Sequence, residues 1–142
     1  PGRVTATPAA FPPAPRADWR LTVDQVAAGI EGVLVDARSP ERFRGVNETI
    51  DPVGGHIPGA RNYFFQQNLA EDKTFKPAAE LRTQWDAVLE GRDAKDVVMY
   101  CGSGVTACHN LLAMAVAGLP GSRIFPGSWS EWSADASRPV ET

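Results

Sequence analysis

The sequence places a thiol where a nucleophile would be useful. Cys101 ends the run Asp96-Val-Val-Met-Tyr100 and is followed at once by Gly102-Ser-Gly-Val-Thr106 and then by a long apolar stretch from Ala107 to Ala117. Read as strand, loop and helix, this puts the cysteine at the carboxyl end of a strand, where open α/β sheets bind their ligands. Gly102 and Gly104 give the loop conformations closed to other residues, so that successive amides can turn toward one point and form an anion-binding concavity. The helix beginning near Thr106 aims its positive end at the same point. Such a setting favours a thiolate over a thiol, and it would hold an anionic Cys–S–S⁻ in the same way. No general base is needed nearby, in keeping with the lack of a Cys/His pair in the local sequence. The competing reading of Cys101 is a small buried hydrophobe; the glycine-rich loop and the helix start favour the nucleophile.

Few other residues compete for a chemical role. Cys108 lies seven residues on, within the expected helix, and two helical turns rise about 10 Å, too far for an unstrained disulfide. It reads as core. There is no CxxC, and His56 and His109 are far apart in sequence, so no metal is expected. His56 reads as a stabiliser of its turn and His109 as a packing residue. A chain of 142 residues, 43% hydrophobic and 22% charged, is the size and composition of one domain with a real core. The net charge of -3 argues against a general nucleic-acid or anionic-membrane surface. No apolar run approaches the roughly 18–20 residues of a membrane span, and no signal peptide opens the chain. Two cysteines without a disulfide framework fit a reducing, cytoplasmic compartment.

The elements that must position Cys101 can be read from the periodicity. Residues 1–18 hold five prolines and no period, which predicts an extended, linker-like arm; the folded domain is expected over 19–142. Thr22-Val-Asp-Gln25 has the form of a capping box and opens a short helix. Val33-Leu-Val-Asp-Ala37 is a buried-strand run. Ser39-Pro-Glu-Arg-Phe43 looks like a helix start, with Pro40 just inside it. A loop over Asn47–Gly55 leads to a tight turn, His56-Ile-Pro-Gly-Ala60, and a short strand around Ala60–Asn62. Pro77 to Leu89 reads as a helix, Asp96 to Tyr100 and Ser122 to Phe125 as strands, and Ser128-Trp-Ser-Glu-Trp132 as the start of a last helix. Alternating strands and helices predict an α/β domain with a central parallel sheet and helices on both faces.

Four of these segments together resemble the rhodanese family. Cys101-Gly-Ser-Gly-Val-Thr106 resembles its active-site loop, in the form typical of 3-mercaptopyruvate sulfurtransferases; thiosulfate-specific members usually have basic residues where this chain has Gly102 and Ser103. Val35-Asp-Ala-Arg-Ser-Pro-Glu-Arg-Phe43, Gly55-His-Ile-Pro-Gly-Ala60 and Gly127-Ser-Trp-Ser-Glu-Trp132 are similar to the family's other signatures, in the right order and over roughly Trp19 to Trp132. The resemblance implies the three-layer rhodanese fold, no cofactor, and transfer of a sulfur atom from 3-mercaptopyruvate or thiosulfate through a persulfide on Cys101. The acceptor would be cyanide or a thiol such as thioredoxin or glutathione.

The same resemblance implies site residues. Arg42 matches the arginine that contacts the anionic donor, and a guanidinium suits that task because it can hold two oxygens at once. Gly102, Ser103, Gly104, Val105 and Thr106 would surround the donor or persulfide, with Ser103 either bonding it or merely small, and Thr106 closing the loop and capping the helix. Asp36, Arg38 and Arg44 read as structural, Trp129 and Trp132 as packing. Mercaptopyruvate enzymes often carry a second arginine before the GHIPGA segment, whereas Asn47-Glu-Thr-Ile-Asp-Pro-Val-Gly has none. The proline-rich arm and the opening Pro1 suggest the C-terminal catalytic half of a longer two-domain chain, with a second rhodanese domain as partner.

Two other classes stay open at this stage. Phosphatases of the Cdc25 type share the fold but need an arginine at the sixth position after the cysteine, where this chain has Ala107. A non-catalytic interaction or regulatory module commonly loses the cysteine, which is retained here.

Overall fold

A computed structural model describes residues 10, 12–14 and 16–142. Most of the arm expected over 1–18 lies outside the described residues. Its last residues, Ala17 and Asp18, enter a 3₁₀ turn that runs to Trp19; the folded domain then begins, with Arg20 bridging Ile124 and the Leu21 amide donating to the Ile124 carbonyl at 2.8 Å.

The elements run α1 (Val23–Ala27), β1 (Val33–Asp36), α2 (Pro40–Phe43), β2 (Arg61–Asn62), α3 (Ala78–Leu89), β3 (Val97–Tyr100), α4 (Val105–Val116), β4 (Arg123–Ile124) and α5 (Ser128–Ser133). The four strands make one parallel sheet in the order β2-β1-β3-β4. β1 and β3 form its centre, with Asp36 level with Tyr100, so both strands stop at the same edge. Both strands are buried along their whole length, which is why they read as unbroken apolar runs rather than alternating ones. Successive side chains nevertheless part to opposite faces. Val33, Val35, Val97, Met99 and Cys101 join the core beneath α3 and α4, with Leu81, Trp85, Ala107 and Met114. Leu34, Val98 and Tyr100 join the core on the other face, with Leu21, Val26, Phe125, Trp129 and Trp132.

Local signals explain most of the helix starts. The Thr22 hydroxyl accepts from the Gln25 amide while the Gln25 side chain accepts from the Thr22 amide, completing the capping box expected there. Ser39 caps α2 with Pro40 at its first position. The strand expected over Ser122–Phe125 shrinks to Arg123–Ile124, because β4 is an edge strand that meets β3 only at Val98 and Met99. A 3₁₀ turn over Phe65–Asn68, in a stretch with no clear period, was not legible in the sequence.

That turn is fixed by a buried amide network. Asn68 Nδ2 donates to Asn110 Oδ1 at 2.8 Å and to the Phe65 carbonyl at 3.0 Å, Trp85 Nε1 donates to Asn68 Oδ1 at 3.1 Å, and Asn110 Nδ2 donates to the Tyr63 carbonyl at 3.0 Å. Asn68 and Asn110 are fully buried, so the network ties α3, α4 and the 3₁₀ turn together through groups that have no water to fall back on. His109 lies on the same helix between Phe65 and Phe75, where burial pulls its pKa below the ordinary histidine value. Asn110→Ala orphans a buried carbonyl and leaves a void, and should cost about 2–3 kcal/mol in urea unfolding; a loss under about 0.5 kcal/mol would place the stability of this corner elsewhere.

Candidate active site

The loop after β3 is shaped by what it rests on. Gly104 is the N-cap of α4 and adopts φ +84°. A Cβ there would also stand 2.7 Å from the Pro126 carbonyl oxygen, so both the backbone angle and the close approach require glycine. The helix therefore begins at Val105, one residue earlier than expected, and its cap has no side chain. Thr106 consequently does not cap α4; it sits inside the first turn. The amides of Gly102, Ser103, Gly104, Val105 and Thr106 have no acceptor among the described residues. This is the condition of a helix N-terminus open to an anion.

The start of α5 holds the cysteine itself. Ser128 Oγ accepts from the Cys101 amide at 3.1 Å and donates to the Phe125 carbonyl at 3.0 Å. The next two amides reach back in the same direction: Trp129 N–H donates to the Cys101 carbonyl and Ser130 N–H to the Gly102 carbonyl, both at 2.9 Å. Ser128 is fully buried and takes φ +56°, a left-handed conformation that costs a non-glycine residue energy. The strain is over-determined by the three bonds it makes possible. Nothing in the sequence marks Ser128 for this role apart from its place in Gly127-Ser-Trp-Ser-Glu-Trp132.

Cys101 is 2% exposed and borders a pocket of about 270 Å³, which it lines with Arg38, Ser39, Arg42, Phe64, Phe65, Gly102, Ser103, Val105 and Thr106. Of the residues expected at the site, Arg42, Gly102, Ser103, Val105 and Thr106 thus meet Cys101 in one pocket. Gly104 is buried behind it. A larger depression of about 840 Å³ lies at the opposite end of the sheet, lined by Trp19, Gln25, Lys95 and Arg123 among others, and holds no nucleophile. The smaller pocket is the chemically relevant one, because it lies beyond the carboxyl ends of the strands.

Arg42 does not stand free. Its Nε and Nη2 donate to both oxygens of Glu48, at 3.0 and 2.9 Å, and Nη2 also donates to Asp51 Oδ2 at 3.1 Å. The Glu48 and Asp51 side chains are only 4% and 5% exposed. Asp51 Oδ1 in turn accepts from Ser130 Oγ at 2.6 Å, linking the clamp to α5. Burial works to raise the Glu48 carboxyl, but bonds from Arg42 and the Ile50 and Asp51 amides, with the Arg42 charge, outweigh it and hold that group below the usual carboxylate range. Its stabilising effect is therefore present above the ordinary carboxylate value and is lost as pH falls through the lowered one. The sequence showed a loop lacking an arginine; that its two acids fold back on Arg42 was not legible.

The residues expected to be structural each make fixed contacts around the site. Arg38 is 3% exposed, bonded through Nε and Nη2 to both oxygens of Asp36 and through Nη2 to the Gly55 carbonyl, and its guanidinium lies 4.8 Å from the Trp129 ring centroid. Asp36 also accepts from the Arg38 amide, tying down the end of β1. His56 stacks on Phe43 and bonds the Phe43 carbonyl through Nδ1 at 2.7 Å, holding its turn. Trp129 and Trp132 are core residues. Cys108 corrects the expectation made for it: it is exposed, one position off the buried stripe of Ala107, Asn110, Ala113 and Met114. Both cysteines are free. Among the described residues no cluster of His, Cys, Asp and Glu could hold a metal ion, and no helix is long and apolar enough to cross a membrane.

The site is thus a cysteine on a glycine-rich loop between a central parallel strand and a helix of an α/β domain. Comparison with known proteins gives the family: residues 22–135 match the rhodanese-like domain, and the chain belongs to that family. It is 50% identical over 130 residues to a Pseudomonas aeruginosa protein named "Probable 3-mercaptopyruvate sulfurtransferase", covering 88% of this chain and 46% of the relative. It is 38% identical over 117 residues to thiosulfate sulfurtransferase of Bos taurus, covering 78% of this chain and 39% of the relative. The solved structure of 3-mercaptopyruvate sulfurtransferase from Leishmania major superposes with a TM-score of 0.72 at 33% identity, covering 90% of this chain and 38% of that one. The chain thus spans less than half the length of these relatives.

The bond from the Cys101 amide to Ser128 separates strain from support. Ser128→Ala should lose about 1–3 kcal/mol in urea unfolding, because a buried amide is left without an acceptor. Ser128→Gly relieves the backbone angle yet should also be less stable than wild type. A more stable glycine variant would mean that strain, not the hydroxyl, dominates at this position.

Proposed function

We propose that this chain is a sulfurtransferase domain in which Cys101 carries the sulfur. The observation that carries the reading is the meeting of three features at one pocket: a thiol fixed on both sides of its backbone, a run of loop amides without acceptors, and the Arg42 guanidinium beside Gly102. The kinship with proteins named for 3-mercaptopyruvate and thiosulfate sulfur transfer supports it.

The chemistry follows from the parts. The Cys101 thiolate attacks the terminal sulfur of the donor. With 3-mercaptopyruvate the C–S bond breaks, its electron pair passes to carbon, and protonation releases pyruvate. With thiosulfate the S–S bond breaks and sulfite leaves with the pair. Cys101 then holds an anionic persulfide, and the loop amides, which have no acceptor among the described residues, and the N-terminus of α4 are available to stabilise that charge as it forms. An acceptor thiolate or cyanide attacks the outer sulfur and Cys101 leaves as thiolate, ready for another cycle. Thiol acceptors such as thioredoxin or glutathione belong to this reading, as do a cytoplasmic setting and a second rhodanese domain in the full-length protein.

The phosphatase alternative lacks its phosphate-gripping group. Ala107 is fully buried against the core, so the loop supplies no guanidinium of its own.

Intact mass spectrometry tests the proposal. Treatment with 3-mercaptopyruvate or thiosulfate should add one sulfur, about 32 Da, as expected for a covalent intermediate. Cyanide should remove it. Cys101→Ser should abolish the gain, and loss of the exposed Cys108 thiol in Cys108→Ser should leave it intact. No gain at Cys101 with either donor, in the full-length protein, would overturn the reading.

A further inference from the structure

The Arg42 clamp has a property that the donor must meet. Of the three guanidinium nitrogens, Nε and Nη2 are occupied by Glu48 and Asp51, and only Nη1 is without a partner among the described residues. Both terminal nitrogens border the cysteine loop, since a Cβ built on Gly102 would lie 3.6 Å from Nη1 and 3.7 Å from Nη2, but of the two only Nη1 is left to a ligand. The two-nitrogen fork of a free arginine is therefore not on offer; the donor meets Nη1 and its two N–H groups, at the edge of a group already bonded to two carboxylates. The charge balance points the same way. Arg38 and Arg42 face Asp36, Glu48 and Asp51 in one continuous ion-pair network, two positive groups against three negative ones. The acids are buried, so solvent screens them little.

We infer that Asp51 and Glu48 set donor specificity, making the Cys101 pocket take a singly charged thiol carboxylate in preference to a dianion such as thiosulfate. This rests on the sulfurtransferase reading above and adds to it a reason why one donor is favoured. Asp51 is a specificity residue acting through Arg42: its carboxylate occupies Nη2, leaving Nη1 to the ligand, and opposes a second negative charge there. A dianion feels that opposition twice as strongly as a monoanion at the same position.

Asp51→Asn isolates the charge. The amide is the same size, its oxygen can still accept from Arg42 Nη2, and its nitrogen can donate to Ser130 Oγ, so the clamp keeps its shape and loses one negative charge. In the full-length protein, kcat/KM would be measured for 3-mercaptopyruvate by pyruvate release and for thiosulfate by sulfite release. Wild type should favour 3-mercaptopyruvate. In Asp51→Asn the thiosulfate to 3-mercaptopyruvate ratio should rise by about tenfold, with the change in the KM for thiosulfate rather than in kcat. Glu48→Gln should move the ratio in the same direction even if it lowers both rates, since general damage to the fold affects both donors alike. An active wild type whose ratio stays unchanged in both variants would overturn the inference and leave the sulfurtransferase reading standing. A wild type that loads Cys101 from neither donor would overturn both.

Discussion

The site depends on one constraint: the backbone of Cys101 and Gly102 is held from behind by the first three residues of α5. Ser128 Oγ, Trp129 N–H and Ser130 N–H account for the Cys101 amide and the carbonyls of Cys101 and Gly102. With those groups satisfied on the protein side, the next five amides are left without an acceptor among the described residues. A loop free to relax would turn some of them toward solvent or its own carbonyls, and the anion site would exist only part of the time. The left-handed Ser128 and the close approach of Gly104 to Pro126 are the local costs of that arrangement, offset by the burial of Trp129 and Trp132 in the core behind it.

From this anchor the rest of the site can be followed outward. Ser130 carries the link from α5 to Asp51, Asp51 and Glu48 carry it to Arg42, and Arg42 lies over Gly102, where the chain of contacts closes on the cysteine loop. Helices α2 and α5 and the loop over Asn47–Gly55 thus share one polar chain that reaches the pocket at Arg42. The Arg38–Asp36 pair, stacked on Trp129, forms its buried base. Cys101 and Arg42 line the same pocket, while Glu48, Asp51 and Ser130 hold Arg42 from outside its lining.

Much of the fold was legible because each element carried its own signal. Val33–Val35 and Val97–Met99 are apolar runs of strand length, the Thr22–Gln25 and Ser39–Pro40 starts are chemical caps, and Gly118 ends the long helix with φ +74°. The convergence of Arg42 and the cysteine loop was legible through resemblance rather than period. What stayed hidden depended on long-range geometry. Glu48 and Asp51 sit in a loop without period, and only its path shows them turned onto Arg42. Cys108 was misplaced because the buried stripe of α4 includes the polar Asn110 while apolar positions such as Val105 and Leu112 are exposed, so polarity does not mark the stripe, and Thr106 because a glycine cap leaves no side-chain signature.

The most direct test of the central claim is a crystal structure of the full-length protein after exposure to 3-mercaptopyruvate. The account predicts one added sulfur bonded to Cys101 Sγ at about 2.05 Å, the ordinary S–S length, within hydrogen-bond reach of the loop amides between Gly102 and Thr106, with Ser128 Oγ still bonded to the Cys101 amide. Sulfur found on Cys108 instead, or an unmodified Cys101 in protein that has released pyruvate, would contradict it.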